Sequence, residues 1–463
     1  MSEREDIAII GGGASGTLLA HALMRQHGRT CLVIDPSAQP ALGIAYSTRC
    51  IGHLLNVPAS GMSGLAENHD HFVEWLHRQI DPGIDPNAFM PRALYGLYLH
   101  HLLHESGARL KQDRVISCKA EGGRFRLSLA SGETIHARSV VLALGHFSPA
   151  RLGGLGPGVF ENPRYHHDVW QHAALQPHHG AAKAIAAFAP EATLLMIGSG
   201  LTAIDMVIKA RLEGHTGPIR LLSRHASLPE KHLPPAPPLP PVIVPQQRDA
   251  RLRHYVHQFH EALRRGVAWR DAIDSLRPVT NDLWSRLSAQ DHARFNRHLR
   301  RRWDVARHRI APRIADFLKR ELRTGALVID AGRVTRIEAE PHGLMVTAIH
   351  RGKTTHYRAD HVLNCTGPDL DYRRAGSDLL DDLLAQGLAC PGEGGAGLNT
   401  HKDGRLTDLS GNVGPALYTL GPARLGTLFE SIAIPEIRQQ AYDLATSLNA
   451  SLATLPPTRQ PSC

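Results

Sequence analysis

Glycines at 11, 13 and 16 and a carboxylate at Asp35 carry the most definite chemistry in the sequence. Gly11 allows a tight turn, and Gly13 lets a backbone approach a diphosphate with no side chain between. Gly16 lets a helix pack closely on a sheet, and Ser15 lies inside the same turn. A helix starting here presents unpaired N–H groups and a partial positive charge to phosphate oxygens. Asp35 is placed to accept hydrogen bonds from an adenosine ribose, and its charge argues against a 2′-phosphate at this position. A lone G-x-G-x-x-G reads equally as an ordinary loop. Here it follows a strand-like run, Ile7 to Ile10, and precedes a helix-compatible segment with Leu18, Leu19, Ala22 and Leu23 on one face. Cys31 to Ile34 then forms a second strand, closed by Asp35. That order predicts dinucleotide binding. Its place early in the chain points to FAD without excluding NAD.

The pattern returns. Thr193 to Ile197 reads as a strand, Gly198-Ser199-Gly200-Leu201-Thr202-Ala203 as a G-x-G-x-x-A turn, and Ile204 to Leu212 as a helix. The next strand, Ile219 to Leu222, runs into Ser223-Arg224-His225 with no carboxylate. An arginine there suits a 2′-phosphate, which favours NADPH over NADH, although a solvated strand end has the same appearance. Gly198, Gly200, Thr202 and Arg224 are the candidate contacts for NAD(P)H. A meander follows each unit. Val115 to Gly145 alternates Phe125, Leu127 and Leu129 with polar residues and closes on Gly145; Arg333 to His361 is followed by a buried run closing on Thr366-Gly367. A last glycine turn, Gly421 to Gly426, precedes a predicted helix over Leu428 to Ala445. These elements predict an α/β chain with two Rossmann-like domains carrying β-meanders, the FAD domain being discontinuous. The expected division is 1–165 and 346–463 for FAD, with 190–345 for NAD(P)H, including a proline-rich connector and a helical insertion.

Between Asp35 and the first meander, Leu42 to Thr48, His53 to Ala59 and Met62-Ser63 show little periodicity. They read as an irregular surface loop or as a wrap around a flavin ring, and spacing does not decide. His71 to Gln79 and Leu94 to Leu103 read as helices. Pro234 to Pro245 is too rich in proline for helix or sheet. Around Leu299 to Ile310, Leu299, Trp303, Ala306 and Ile310 share one helical face and arginines occupy the other. That second face suits solvent first, then a nucleic acid or the lining for an anionic substrate. The net charge of +9 admits nucleic acid, but anionic small molecules gain from the same field. Thirty histidines and six cysteines show no zinc spacing and no disulfide framework, so neither a metal nor a secreted scaffold is expected. The charged start MSERED and the lack of a long apolar run predict a cytoplasmic protein, with no membrane partner. The tail from Leu455 reads as loose.

The segments GGGASG, GIAYST, HLLNVPA with MS, PRALYG, GSGLTAID, RWDVARHR, NCTGP and LFESIAIPEIRQQA are together similar to the YdhS-type NAD(P)/FAD-binding family, over nearly the whole chain. Residues 143–145 read Ala-Leu-Gly where related flavoproteins often carry Ala-Thr-Gly. The resemblance implies a flavin monooxygenase that uses FAD, a nicotinamide cofactor and O2 and acts through a flavin C4a-hydroperoxide. Two activities occur in the family, urate hydroxylation to 5-hydroxyisourate and aspartate N-hydroxylation. The wording of the segments favours urate, hence a small anionic substrate. His53, Asn56 and Arg92 are the catalytic candidates from the family segments, each also readable as loop or helix packing. A reductase or oxidase on the same two domains remains an alternative. So does a flavin-binding regulatory or RNA-associated protein without turnover.

Overall fold

The apolar run that opens the chain forms β1 (Glu3–Ile10), with Ile7, Ala8 and Ile9 buried. The computed structural model describes residues 3–170, 188–234, 237–245 and 250–454. From β1 the glycine turn leads into the helix Ala14–His27, which ends at Gly28. β2 (Leu32–Asp35) lies parallel to β1, and β3 (Arg109–Gln112) lies parallel to β2. β4 (Val115–Glu121), β5 (Arg124–Leu129) and β6 (Thr134–Leu142) form the antiparallel meander, and β6 returns parallel beside β1. The expected alternation holds, since Phe125, Leu127 and Leu129 all point into the core.

The chain then builds a second sheet. β7 (Tyr165–His166), β8 (Leu194–Ile197), β9 (Ile219–Ser223) and β10 (Leu327–Ala331) precede a meander of β11 (Arg333–Glu340), β12 (Gly343–His350) and β13 (Lys353–Ala359). β14 (His361–Asn364) returns between β8 and β7, giving the all-parallel order β10-β9-β8-β14-β7. β15 (Arg405–Thr407) and β16 (Val413–Thr419) go back to the first sheet, where β16 lies parallel to β6. Its order, β15-β16-β6-β1-β2-β3, is that of an interrupted Rossmann-like unit. Strand pairing corrects the expected divisions. The boundary at 345/346 falls inside β12, and Tyr165 already pairs with Val362 in the second sheet.

Among the described residues between β9 and β10 run six α-helices: Leu252–Arg264, Trp269–Ser275, Thr280–Ser285, Ala289–His298, Arg300–Arg307 and Pro312–Thr324. The described part of the proline-rich connector holds neither helix nor strand. Helices His71–Gln79 and Arg92–Glu105 are cemented by Phe72, Trp75, Tyr95 and Tyr98, all buried. Burying each such side chain is worth roughly 1.5–3 kcal/mol. Tyr98 also accepts a hydrogen bond from Gly64 N at 3.1 Å, tying the irregular loop to this cluster. The last helix is Ile434–Thr454, later than expected. Pro435, which has no N–H to give to an earlier turn, sits in its first turn, and residues 428–433 are irregular. The expectation for the tail from Leu455 lies outside the described residues. Among the described residues, no helix is long and apolar enough to cross a membrane.

Candidate functional site

Because β16, β6, β1 and β2 are parallel, their carboxyl ends share one edge. Gly421, Gly145, Gly11 to Gly16 and Asp35 all follow those ends, so pairing collects residues 400 positions apart. Gly11 has φ 106°, and a Cβ there would lie 2.3 Å from the Ala143 carbonyl oxygen. Gly16 packs against the Gly11 carbonyl, where a Cβ would sit at 2.0 Å. The helix beginning at Ala14 has no side-chain cap and no acidic residue in its first turn, leaving its positive end for an anion. Asp35 accepts from Gly12 N at 2.6 Å and from Ser37 N at 2.8 Å, which fixes the carboxylate while leaving lone pairs for ribose hydroxyls. The loop after Asp35 folds back on this turn: Ala41 N donates to Gly12 O at 2.6 Å, and Gly43 lies against Gly13. Gly421 presses on buried Ser15, bringing the final segment to the same turn. Gly426 does something else. A Cβ there would lie 2.4 Å from the Leu398 carbonyl oxygen, so its missing side chain admits neighbouring chain and not a ligand.

The second sheet repeats the construction. A Cβ on Gly198 would lie 2.3 Å from the Cys365 carbonyl oxygen, as Gly11 stands to Ala143. Gly198 N donates to Leu222 O and Gly11 N to Ile34 O, each at 2.9 Å. This register superposes Ser223, the last residue of β9, on Asp35. Arg224 is therefore one residue beyond the strand, exposed, with no ion pair or hydrogen bond among the described residues. Gly200 opens onto free space, and Thr202 stands half-buried in the first turn of the uncapped helix Leu201–Leu212. Thr366 is exposed and tied locally: its N–H and hydroxyl both donate to Asn364 Oδ1, at 3.3 and 2.8 Å. Gly145 and Gly367 take positive φ with no atom near a Cβ position. Cys365 is buried and its thiol is pushed up by desolvation, a core residue.

The catalytic candidates sit where the two units meet. The Arg92 guanidinium contacts Asp205 of the helix Leu201–Leu212 at 2.8 Å, with side-chain exposures of 15% and 7%. The contact is ionic, since no N–H is aimed along a hydrogen bond to Asp205 Oδ2. His53 is buried; its Nε2 is 2.9 Å from the Asp205 carbonyl oxygen and its Nδ1 is 2.7 Å from Thr48 Oγ1. A carbonyl only accepts, so Nε2 carries the proton and Nδ1 accepts from Thr48. Burial lowers the His53 pKa, with Asp205 opposing. The Asn56 carbonyl accepts from His232 Nε2 at 2.9 Å. His53 and Arg92 thus bridge the two units, and the Asn56 backbone carbonyl accepts a bond from His232 in the same region. His53 reaches its Asp205 partner across 152 positions and Asn56 reaches His232 across 176, distances that no local pattern spans.

The arginine-bearing helix is also corrected. Arg307 makes a bidentate pair with Glu430 at 3.0 and 3.2 Å, and Arg309 grips Asp274 at 2.8 and 3.1 Å. Burial alone would lower the Arg307 pKa; Glu430 outweighs it and raises it. Arg307 and Arg309 are thus tied to carboxylates of neighbouring chain and do not simply face solvent, whereas Arg302 is exposed. The apolar side of the helix helps to line a half-open chamber of about 310 Å³ within the insertion, walled by Tyr255, Phe259, Trp269, Trp284, Trp303 and Phe429. Arg302 and His260 also line it. Phe429 comes from the segment following Gly421–Gly426, and Asn281 holds that segment, accepting from Phe429 N and Glu430 N at 2.9 Å each. Asp205, Asn281, Glu430 and Arg307 were not expected as site residues; Asp205, Arg307 and Glu430 lie in segments that the family resemblance had marked, and Asn281 does not.

Comparison with known proteins agrees with this geometry. Residues 8–147 match the family described as FAD-NAD(P)-binding and are such a domain. No curated protein is close enough in sequence to match the chain. Among solved structures, the ornithine N-hydroxylase of Kutzneria sp. 744, with reduced FAD, NADP+ and L-ornithine, is similar at a TM-score of 0.68 and 14% identity, covering 97% of this chain and 100% of that one. L-lysine 6-monooxygenase from Pseudomonas syringae aligns at 0.63 and 15% identity, with 97% and 100% coverage. Bacillithiol disulfide reductase from Bacillus cereus aligns at 0.56 and 14%, again covering 97% and 100%. The chain has the fold these flavoproteins share, with residues fitted to hold FAD and NAD(P).

Proposed function

We propose that the chain is an oxidoreductase, an NAD(P)H-using flavin monooxygenase that hydroxylates an amine nitrogen. The observation that carries this is the apolar chamber, one wall of which, Phe429, leads off from the turn at the FAD edge. Bound flavin would supply reducing equivalents and activated oxygen. The chain's own residues bind and orient. Gly11 to Gly16 and Asp35 hold FAD, Gly198 to Thr202 hold the nicotinamide nucleotide, and Asn281 fixes the Phe429 segment against the insertion. An amine must be unprotonated to attack oxygen. The aromatic wall desolvates an ammonium and Arg302 repels it, so both favour the neutral form without a dedicated base. The same lining suits an amine on an apolar body.

Urate, favoured by the family segments, has less behind it. Its polar edges would meet aromatic carbon in this chamber and lose hydrogen bonds to water. Full-length similarity to two amino-acid N-hydroxylases supports the amine reading as well.

The test is NADPH and NADH oxidation by the FAD-loaded protein with aromatic and long-chain amines, ornithine, lysine, aspartate and urate, with products read by mass spectrometry. An amine that stimulates oxidation and gains one oxygen on nitrogen is the expected result. Urate loss coupled to oxidation would restore the urate reading. Disulfide reduction without oxygen transfer would make the chain a reductase.

A further inference from the structure

The second unit carries an arrangement of charge that its fold does not need. Ser199 is buried, with its Oγ 2.8 Å from both Ser223 Oγ and Ser227 O. Into this group reaches Arg301, from the helical insertion, 3.2 Å from Ser199 Oγ and bonded to Ser227 O. Arg301 is half-buried, yet its bonds go only to neutral oxygens. Its helix neighbour Arg300 takes the Asp304 carboxylate, while Arg307 and Arg309 each have a carboxylate of their own. Burial lowers the Arg301 pKa, and Arg224 lowers it further against Asp304. Arg224 follows Ser223 directly in the chain, so it adds a second guanidinium beside the group that Arg301 enters, and neither arginine has an ion pair among the described residues. Like charges held together in a partly dry place are unfavourable until an anion joins them.

The register says which anion. Ser223 superposes on Asp35, the residue that in the first unit fixes Gly12 and whose free lone pairs suit the hydroxyls of an adenosine ribose. Replacing a carboxylate by a hydroxyl there, with two arginines around it, exchanges a 2′-hydroxyl partner for a 2′-phosphate partner. We infer that Arg301 of the helical insertion and Arg224 form a clamp for the 2′-phosphate of NADPH, seated over Ser199 and Ser223. The inference rests on the second unit holding a nicotinamide nucleotide, and it makes the insertion part of that site.

Calorimetric titration of the FAD-loaded protein with 2′,5′-ADP, 5′-AMP, NADP+ and NAD+ tests it without turnover. The wild type is expected to bind each 2′-phosphorylated ligand roughly tenfold or more tightly than its counterpart, the scale of charge-assisted hydrogen bonds. Arg224→Ala and Arg301→Ala should each remove most of that difference while leaving 5′-AMP and NAD+ affinity in place. Ser223→Asp should reverse the preference. Equal affinities in the wild type would overturn the inference. So would an Arg301→Ala protein that weakens both ligand classes equally, which is the mark of a packing role. Arg224 is exposed and unpaired, so Arg224→Ala serves as a variant that tests the clamp without a packing loss. Since no amine or oxygen enters the measurement, failure of the amine reading and failure of the clamp are separate outcomes.

Discussion

Gly11 and Gly198 occupy equivalent places, each at positive φ and each placing an added Cβ 2.3 Å from the carbonyl oxygen of the residue just after its unit's returning strand, β6 or β14. Neither a rotation nor a flexible neighbour relieves that overlap, because the obstacle is backbone. An alanine also adds strain of roughly 1–3 kcal/mol for an unfavourable φ. The two substitutions are expected to separate the two cofactors. Gly11→Ala should purify with little flavin, whereas Gly198→Ala should keep its flavin absorbance and lose nicotinamide nucleotide binding. Flavin-to-protein absorbance ratios and a nucleotide titration check both. A colourless Gly198→Ala protein beside a yellow Gly11→Ala protein would reverse the assignment. The sequence spacing made these two glycines legible, since a tight strand-to-helix turn has few solutions. Gly426 shows the limit. It has the same composition cue, yet its close neighbour is the Leu398 carbonyl, which no local pattern announces.

At the level of elements, the contact of Arg92 with Asp205 joins the helix Arg92–Glu105 to the helix Leu201–Leu212. Both side chains are largely removed from water. Removing one leaves the other charge uncompensated, at a typical cost of about 3–5 kcal/mol. Arg92→Ala and Asp205→Ala should each lower stability by that order in denaturant titrations. Arg92→Met with Asp205→Leu should recover a large part of it, since a pair of apolar groups carries no desolvation penalty. If both single variants unfold like the wild type, the pair does not hold the units together. The family segments flagged Arg92 and contained Asp205, but their pairing across 113 positions is a property of packing. The arginine-bearing helix teaches the same point. Its amphipathic spacing was readable, but whether arginines face water or carboxylates depends on Glu430 and Asp274, far away in sequence.

For the molecule as a whole, His53 and His232 place neutral imidazoles between the two units and the insertion. Burial lowers both pKa values below the ordinary 6.5; Asp205 opposes it for His53, and the hydrogen bond to Asn56 opposes it for His232. In the unfolded chain both take up protons near 6.5, while the folded chain resists. Their contribution to stability is therefore complete above 6.5 and declines as pH falls from there toward the folded values. Each histidine contributes at most about 1.4 kcal/mol per pH unit over that window. The thermal midpoint should drop on acidification from about pH 7 to 5.5, and His53→Gln should flatten the drop. A midpoint that rises on acidification would contradict the buried neutral state.

The sequence by itself determined the two dinucleotide turns, their order, the meanders and the discontinuity of the FAD unit, because these rest on short-range rules. Glycine permits a turn, apolar residues at period two make a strand, and a parallel neighbour needs a crossover. Tertiary structure alone decided what the intervening residues do. It gave His53 and Arg92 to the joint between units and carried Arg301 to Ser199 across 102 positions. It also lined the half-open chamber with helices from an insertion and one aromatic from the returning segment. The physical reason is that the partner of a buried charge or ring is chosen by which surfaces pack, and surfaces meet only when the whole chain has closed.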